Sequence, residues 1–365
     1  MTSELDLVGA TLDRLPTPAL VVDLDALQRN LELLAALLSG LPIGFRPHAK
    51  AHKCIEIAKR QMELGATGIC CQTVAEVEAF AAGGIGDILL TNQIVDPRKI
   101  ARLAAVPENV RVGICVDSLQ GLELVAAANP ARPFQIYVEV DVGGGRCGVA
   151  DPAAAVALAR AVRDSGLSFS GLQAYNGRIQ HLRNAAEREQ AVGRTAAVTS
   201  VFVEALETAG LAPPVISGGG TGTFDFDRLG GTLNEVQCGS YALMDADYLA
   251  VRRPAGARFE AALTILASVI SSRATHAVVD AGLKAAAVDS GLPVPRDHPQ
   301  IAYGNPSDEH GVLRSALGEP LPPTASRVHL IAGHCDPTVA LHQRIYAARA
   351  GVVEEVWPIV AQGIW

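Results

Sequence analysis

Short apolar runs alternate with longer amphipathic stretches between about residues 40 and 250. The runs predict eight strands: Phe45–Lys50, Gly68–Gln72, Asp87–Thr91, Arg111–Val116, Gln135–Asp141, Ser168–Tyr175, Pro214–Ser217 and Glu235–Cys238. Stretches between them, such as Pro152–Ser165 and Ala185–Ala209, repeat apolar residues every three or four positions, which predicts helices. Eight strand–helix units predict an α/β fold, a closed (β/α)8 barrel of the TIM type. A doubly wound open sheet is the alternative.

The pattern changes near Arg252–Gly256. Long β-branched runs follow, interrupted by Pro and Gly: Ala262–Ile270, His276–Asp280 and Arg327–Gly333. This pattern predicts a smaller, antiparallel C-terminal β domain. We therefore expect a barrel domain over residues 17–251 and a β domain over residues 252–365.

Composition narrows the function classes. The chain has 365 residues, a net charge of −8, 49% hydrophobic residues and 4% aromatic residues. These values exclude a mainly disordered chain and argue against nucleic acid or an anionic membrane as partner. We find neither an apolar stretch long enough to span a bilayer nor a secretory leader. Seven cysteines without a paired CxxC pattern predict reduced thiols and a cytoplasmic location.

Basic residues end the first predicted strand. Strand alternation would put Arg46, His48 and Lys50 on one face, at the barrel end where active sites lie. Neighbouring cations and desolvation would lower the pKa of Lys50, leaving a free amine that can form a Schiff base. A solvated basic cluster is the alternative interpretation.

Glycine-rich turns follow strands seven and eight, at Ser217–Thr223 and Gly239–Tyr241. Barrels commonly bind phosphate there through backbone N–H groups. Arg146 lies in another glycine-rich turn, after strand five, and could meet an anionic oxygen. A phosphate site, a reactive Lys50 and an arginine-lined mouth together suggest pyridoxal 5′-phosphate.

Two further positions could carry chemistry. His181 follows strand six and Tyr175, and is either a general acid–base or a structural histidine. His334 and Asp336 follow a strand of the β domain and suit a divalent metal, or form a hydrogen bond in a turn. A second acid–imidazole cluster, at Asp308–Gly311, has no assigned role for Glu309 and His310.

Six motifs occur together along the chain: RPHAKAHK from Arg46, GRCG from Gly145, LQAYNG from Leu172, Ser217–Thr221, Gly239–Tyr241 and GHCDPT from Gly333. With them the chain resembles the D-threonine aldolase and D-serine dehydratase family, fold-type III enzymes related to alanine racemase. The resemblance extends from about Thr17 to the C-terminus. It implies an alanine-racemase-like barrel followed by a β domain, which residues 1–16 would join.

The resemblance also implies roles. Lys50 would bind the cofactor as a Schiff base, Tyr175 would lie near its pyridine nitrogen, and Arg146 near its ring. The implied cofactor site comprises Lys50, Gln72, Thr73, Arg146, Tyr175, Ser217, Gly219, Gly220, Thr221, Gly239, Ser240 and Tyr241. His334 and Asp336 would bind Mn²⁺, with Zn²⁺ or Mg²⁺ as alternatives. His181 would be the catalytic base, directly or through a metal-bound water.

Asp336 distinguishes two branches of the family, because the dehydratases carry a cysteine two residues after the histidine. The sequence thus resembles the aldolase branch, which cleaves small-molecule D-3-hydroxy-α-amino acids to glycine and an aldehyde. Dehydration to ammonia and a 2-oxo acid is the nearest alternative. A non-catalytic pyridoxal-phosphate-binding protein is another, although such binders usually lack the second domain. Analogy with alanine racemases predicts a homodimer.

Overall fold

A computed structural model describes residues 7–128, 130, 132–253, 258–315 and 317–363. The described chain enters the fold through strand β1 (Ala19–Asp23) and helix α1 (Leu24–Leu38). Asp23 begins this helix, because its carboxylate accepts hydrogen bonds from the backbone N–H groups of Asp25 and Ala26. No helix in these residues is long and apolar enough to cross a membrane.

Eight parallel strands then form one sheet. In chain order they are β2 (Gly44–Phe45), β3 (Ile69–Cys71), β4 (Asp87–Leu90), β5 (Arg111–Val116), β6 (Gln135–Glu139), β7 (Ser168–Ala174), β8 (Val215–Gly218) and β9 (Glu235–Val236). Their spatial order is β2-β9-β8-β7-β6-β5-β4-β3. The outer strands meet, because the Cys70 N–H donates to the Pro47 carbonyl oxygen at 2.8 Å. The predicted closed barrel is confirmed, and the open sheet is excluded.

Helices cover the outside of the barrel. They are α2 (Ile55–Glu63), α3 (Val74–Ala82), α4 (Pro97–Ala104), α5 (Leu119–Ala126), α6 (Pro152–Asp164), α7 (Ala185–Thr208) and α8 (Phe224–Gly230). A short helix, α9 (Ala246–Leu249), follows the last barrel strand. Both strand faces are covered, so the strands are almost uniformly apolar. The predicted helices at 152–165 and 185–209 are confirmed to within one residue.

The second sheet contains nine strands of the described chain. Besides β1 they are β10 (Leu263–Ser272), β11 (Ala277–Val279), β12 (Val294–Pro295), β13 (Ile301–Gly304), β14 (Gly311–Ser315), β15 (Arg327–Ile331), β16 (Arg344–Arg349) and β17 (Val352–Pro358). A helix, α10 (Cys335–Ala340), follows β15. Strand β10 is central, since it pairs with β1, β11 and β15.

Two expectations about this second unit need correction. Strand β1 belongs to its sheet, although the predicted barrel domain began at residue 17; the pairing of Val21 with Thr264 and Tyr346 fixes it there. The sheet is also mixed, because β1 runs parallel to β16. Residues 1–6 and 254–257 lie outside the described residues, so part of the predicted N-terminal segment and part of the predicted domain junction do too.

Candidate active site

A cavity of about 160 Å³ opens at the carboxyl ends of the barrel strands, where the second unit covers them. Barrel loops supply most of its wall, and the β15–α10 loop supplies the rest. The lining residues are His48, Lys50, Ala51, Gln72, Thr91, Arg146, Gln173, Tyr175, His181, Gly220, Thr221, Gln237, Gly239, Ser240, Tyr248, His334 and Asp336. Eleven of the residues predicted from the sequence are among them.

Lys50 lies in a 3-10 turn, Ala49–Ala51, and not in the first strand, which ends at Phe45. Its Nζ is 3.1 Å from Oδ2 of Asp336. The Asp336 charge raises the pKa of Lys50 to about 12, although burial opposes the rise. The predicted lowering of this pKa is therefore wrong. His48 does not act as a cation, because burial and the Lys50 charge lower its pKa to about 3.

The predicted pKa of Lys50 was also wrong because Arg46 does not lie near it. Its side chain points to the opposite end of the barrel interior, where Nη1 is 2.7 Å from Oδ1 of Asp87 and Nε is 3.0 Å from Oε1 of Glu235. The residue is 5% exposed. Arg46 therefore does not line the mouth, and strand alternation did not extend to Lys50.

The two glycine-rich turns lie side by side at the cavity. The Tyr241 N–H of the second turn donates to Oγ1 of Thr221 in the first, at 3.1 Å. Gly239 lies against the lysine turn, since a Cβ there would be 2.7 Å from the carbonyl oxygen of His48. This close approach puts Gly220, Thr221, Gly239 and Ser240 on one wall of the cavity, next to Lys50.

Two predicted cofactor contacts point away from the cavity. The Ser217 hydroxyl donates to Oε1 of Glu235 at 2.7 Å, inside the barrel. Thr73 caps helix α3, where its Oγ1 accepts from the Glu76 N–H in a capping box. Both residues are adjacent in sequence to the site, but their side chains serve the barrel interior and a helix end.

Two more of the residues predicted to bind the cofactor, Tyr241 and Gly219, place no side chain in the cavity. The Tyr241 ring is buried in the core, where its hydroxyl is 3.1 Å from Nε2 of Gln61. Gly219 adopts a φ of +66° and packs against Asp227, behind the turn. Only the Tyr241 N–H reaches the neighbouring loop.

Arg146 and Tyr175 lie together at another wall. The Arg146 guanidinium carbon is 5.8 Å from the centre of the Tyr175 ring, within cation–π range. Burial raises the pKa of Tyr175, so its hydroxyl stays neutral. Gln72, which follows strand β3, donates from Nε2 to the carbonyl oxygen of Thr91 at 3.2 Å. All four residues line the cavity.

His181 is oriented by residues that sequence analysis missed. Its Nδ1 is 2.5 Å from Oδ2 of Asp247, and its ring centre is 4.8 Å from that of Tyr248. Arg183 contacts the same carboxylate. Contact at Nδ1 leaves Nε2 as the ring nitrogen available to a ligand. Their position just after the last barrel strand was the available signal for Asp247 and Tyr248.

His334 and Asp336 both line the cavity from the start of helix α10. Burial raises the pKa of Asp336, but the Lys50 charge outweighs it and brings the value to about 2. The intervening Cys335 is buried, and its N–H donates to Oδ2 of Asp245 at 2.9 Å. Within the described residues no group of three or more His, Cys, Asp or Glu side chains forms a metal site. The protein therefore offers an imidazole and a carboxylate as a pair.

The second acid–imidazole cluster does not line this cavity. Glu309 forms an exposed ion pair with Lys284, at 2.6 Å. The His310 carbonyl oxygen accepts from the Ser307 N–H at 2.8 Å within the same loop. Neither the Glu309 nor the His310 side chain lies close enough to His334 and Asp336 to form one metal site with them.

Comparison with known proteins assigns the family. The family described as "Alanine racemase, N-terminal domain" matches residues 22–247. The chain belongs to this family. A second family, "Putative serine dehydratase domain", matches residues 262–348. The barrel with a second β unit, and the family resemblance seen in the sequence, are both confirmed.

Several similar proteins are aldolases by name. D-threonine aldolase of Arthrobacter sp. is 42% identical over 97% of this chain and 95% of its own. 3-hydroxy-D-aspartate aldolase of Paracoccus denitrificans (strain Pd 1222) is 43% identical over 98% and 95%. The crystal structure of D-threonine aldolase from Filomicrobium marinum matches with a TM-score of 0.95 and 41% identity, over 98% of both chains.

Proposed function

We propose that this protein is a lyase that cleaves D-3-hydroxy-α-amino acids to glycine and an aldehyde. D-Threonine and 3-hydroxy-D-aspartate are the model substrates, by analogy with the aldolases named above. The observation that carries the proposal is one cavity lined by an amine, Lys50, an oriented imidazole, His181, and the His334–Asp336 pair.

The cavity fits pyridoxal 5′-phosphate, the cofactor that the family implies. Lys50 would hold its aldehyde carbon, since the amine faces the cavity beside two glycine-rich turns. Thr221 and Ser240 offer hydroxyls on that wall, and Gly239 lacks a Cβ where one would meet the lysine turn. A phosphate needs such a concave set of small donors. Arg146 and neutral Tyr175 would then lie along the ring.

The donor set also fits a divalent metal. His334 offers a ring nitrogen and Asp336 a carboxylate, and water or substrate oxygens would complete the coordination. A carboxylate favours a hard ion, so we propose Mn²⁺ over the alternatives Zn²⁺ and Mg²⁺. When bound, the cofactor would supply an electron sink at Cα, and the metal would polarise the substrate 3-hydroxyl.

The side chains of this protein then have separate tasks. His181, held at Nδ1 by Asp247, takes the hydroxyl proton at Nε2 while the Cα–Cβ bond breaks. The Cβ fragment leaves as the aldehyde, and protonation at Cα gives glycine. Tyr175 would meet the cofactor ring as a neutral hydroxyl, which would stabilise negative charge on the ring less than a cation would.

Asp336 supports cleavage over dehydration, since the dehydratases of the family carry a cysteine there. The match of residues 262–348 to a serine dehydratase domain keeps loss of the hydroxyl as the competing outcome. The same cavity would serve both reactions, because the choice depends on which substrate bond stands perpendicular to the cofactor ring.

A stereochemical panel tests the proposal. We expect aldehyde release, followed with an NADH-coupled alcohol dehydrogenase, from D-threonine, D-allothreonine or 3-hydroxy-D-aspartate, and none from L-threonine. Equal rates on the D and L enantiomers would contradict it, as would the absence of aldehyde from every D substrate.

We further propose a homodimer in the cytoplasm. All seven cysteines are free, which suits a reducing compartment. The dimer rests on analogy with alanine racemases, and light scattering of the purified protein tests it.

A further inference from the structure

The segment 285–291, between β11 and β12, lies along helix α10 and the turn that follows it. At one end, Nε2 of His342 is 2.8 Å from the carbonyl oxygen of Ala285. Four residues earlier on the helix side, Oγ1 of Thr338 accepts a 3.2 Å hydrogen bond from the Ala287 N–H. A step of four residues within 334–342 thus matches a step of two residues within 285–291. The next step brings residue 289 to residue 334.

At that step the carboxylate of Asp289 meets the imidazole of His334, with Oδ2 2.7 Å from Nδ1. The Ser290 hydroxyl lies 3.1 Å from the same oxygen and 3.2 Å from the same nitrogen. Gly333 permits this approach, because a Cβ on it would collide with the carbonyl group of Gly291. The close contact is therefore a feature of two backbones packed together, and not of one mobile side chain.

This contact determines which ring nitrogen of His334 is available to a ligand. With Nδ1 bonded to Asp289, the Nε2 lone pair is left for the cavity, which His334 lines together with Asp336. A carboxylate behind a metal-bound histidine fixes its tautomer and ring orientation and makes it a better ligand. The Asp289 side chain is 54% exposed, so the contact is not needed to neutralise a buried charge.

We propose that Asp289 is a positioning residue of the metal site, which holds His334 so that Nε2 points at a divalent cation shared with Asp336. The inference rests on the proposed metal-dependent function and deepens it. Ser290 has the smaller part of keeping the Asp289 carboxylate in place.

Metal affinity of the protein loaded with pyridoxal phosphate tests this directly. Mn²⁺ is titrated against a competing chelator for the wild type, Asp289→Ala and Asp289→Asn. We expect binding about 10- to 100-fold weaker in Asp289→Ala, with a smaller loss in Asp289→Asn. Asp297→Asn is the matched control, since that side chain is also 54% exposed and forms an ion pair with its neighbour Arg296, away from His334. It should bind Mn²⁺ like the wild type.

Three further readouts separate positioning from general damage. The melting temperature and the cofactor absorbance of Asp289→Ala should match those of the wild type, and excess Mn²⁺ should restore its activity. Wild-type affinity in Asp289→Ala, or an equal loss in Asp297→Asn, would overturn the inference. His334→Ala is measured in parallel. If it binds Mn²⁺ as the wild type does, the proposed metal site itself is wrong and the inference falls with it. If His334→Ala binds Mn²⁺ more weakly while Asp289→Ala binds it as the wild type does, the metal site is retained and only the role of Asp289 is wrong.

Discussion

Ionisable side chains occupy both ends of the barrel interior, and the two ends differ in how these side chains are partnered. At the closed end, Arg46 bonds Asp87 and Glu235, and all three residues are less than 10% exposed. At the open end, the side chains of Lys50 and His181 each contact one carboxylate and are 43% and 41% exposed. The closed-end groups are buried against one another, whereas the open-end groups keep an exposed face for a ligand. The first set should matter for stability and the second for chemistry.

Replacing the lysine at the open end should have the largest effect. We expect Lys50→Ala to lower kcat at least about 10³-fold and to abolish the visible absorbance of lysine-bound cofactor. The fold should persist, because the side chain is 43% exposed. Steady-state kinetics and absorbance spectra measure both effects, and near-normal turnover in this variant would refute the role of Lys50.

Replacing the arginine at the closed end should instead damage the fold. Arg46→Ala removes the cation that pairs with buried Glu235 and leaves Asp87 with Arg111, which is 48% exposed, so we expect a loss of about 3–5 kcal/mol in the free energy of unfolding. Arg98→Ala is the control, since that side chain is 90% exposed and its removal should leave the free energy of unfolding nearly unchanged. Denaturant titration compares them, and equal stability would erase the contrast between the two ends.

Asp227 sharpens the comparison, because its carboxylate is buried beside the Thr223 hydroxyl instead of a cation. Burial raises its pKa to about 7, against the opposing hydrogen bond. As pH rises from about 4 to 7, the unfolded chain releases this proton before the folded one does, so stability falls. In the wild type, we expect the free energy of unfolding to fall by on the order of 3 kcal/mol between about pH 4 and 7 because of this group. In Asp227→Asn that fall should be absent. Identical pH–stability curves for the wild type and the variant would contradict this.

The smallest effect is expected where one residue acts through another. Asp247→Asn keeps the size of the side chain but weakens its hold on Nδ1 of His181. We expect kcat to fall roughly 10- to 100-fold, less than in His181→Ala, with little change in KM. If kcat matches the wild type, Asp247 does not orient the base.

Patterns with a regular period were predictable from the sequence. Runs of apolar residues marked seven of the eight barrel strands, whereas the first was predicted at Phe45–Lys50 and overlaps β2 only at Phe45; recurrence at three and four residues marked helices α6 and α7. The turns after β8 and β9 were predictable because clustered glycines at the end of a strand are typical of tight turns. Side-chain direction was harder, since Ser217, the first residue of the predicted turn, lies inside strand β8 and faces the barrel interior.

Contacts between distant segments were not predictable from one sequence. Lys50 was expected to lose its proton readily because Arg46 and His48 are its neighbours along the chain, but Asp336, far away in sequence, decides its pKa. Asp289 meets His334 only because two turns of the second sheet unit pack together. Such pairs have no local pattern, as each partner alone is an ordinary loop residue.

The most direct test of the account is product analysis of the purified protein with D-threonine, pyridoxal phosphate and Mn²⁺, with and without a chelator. The account predicts glycine and acetaldehyde in equal amounts, both lost when the chelator removes the metal. Ammonia and 2-oxobutanoate would contradict it, since the cavity would then expel the hydroxyl and Asp336 would not mark an aldolase. Aldehyde release unaffected by the chelator would contradict the metal role of His334 and Asp336.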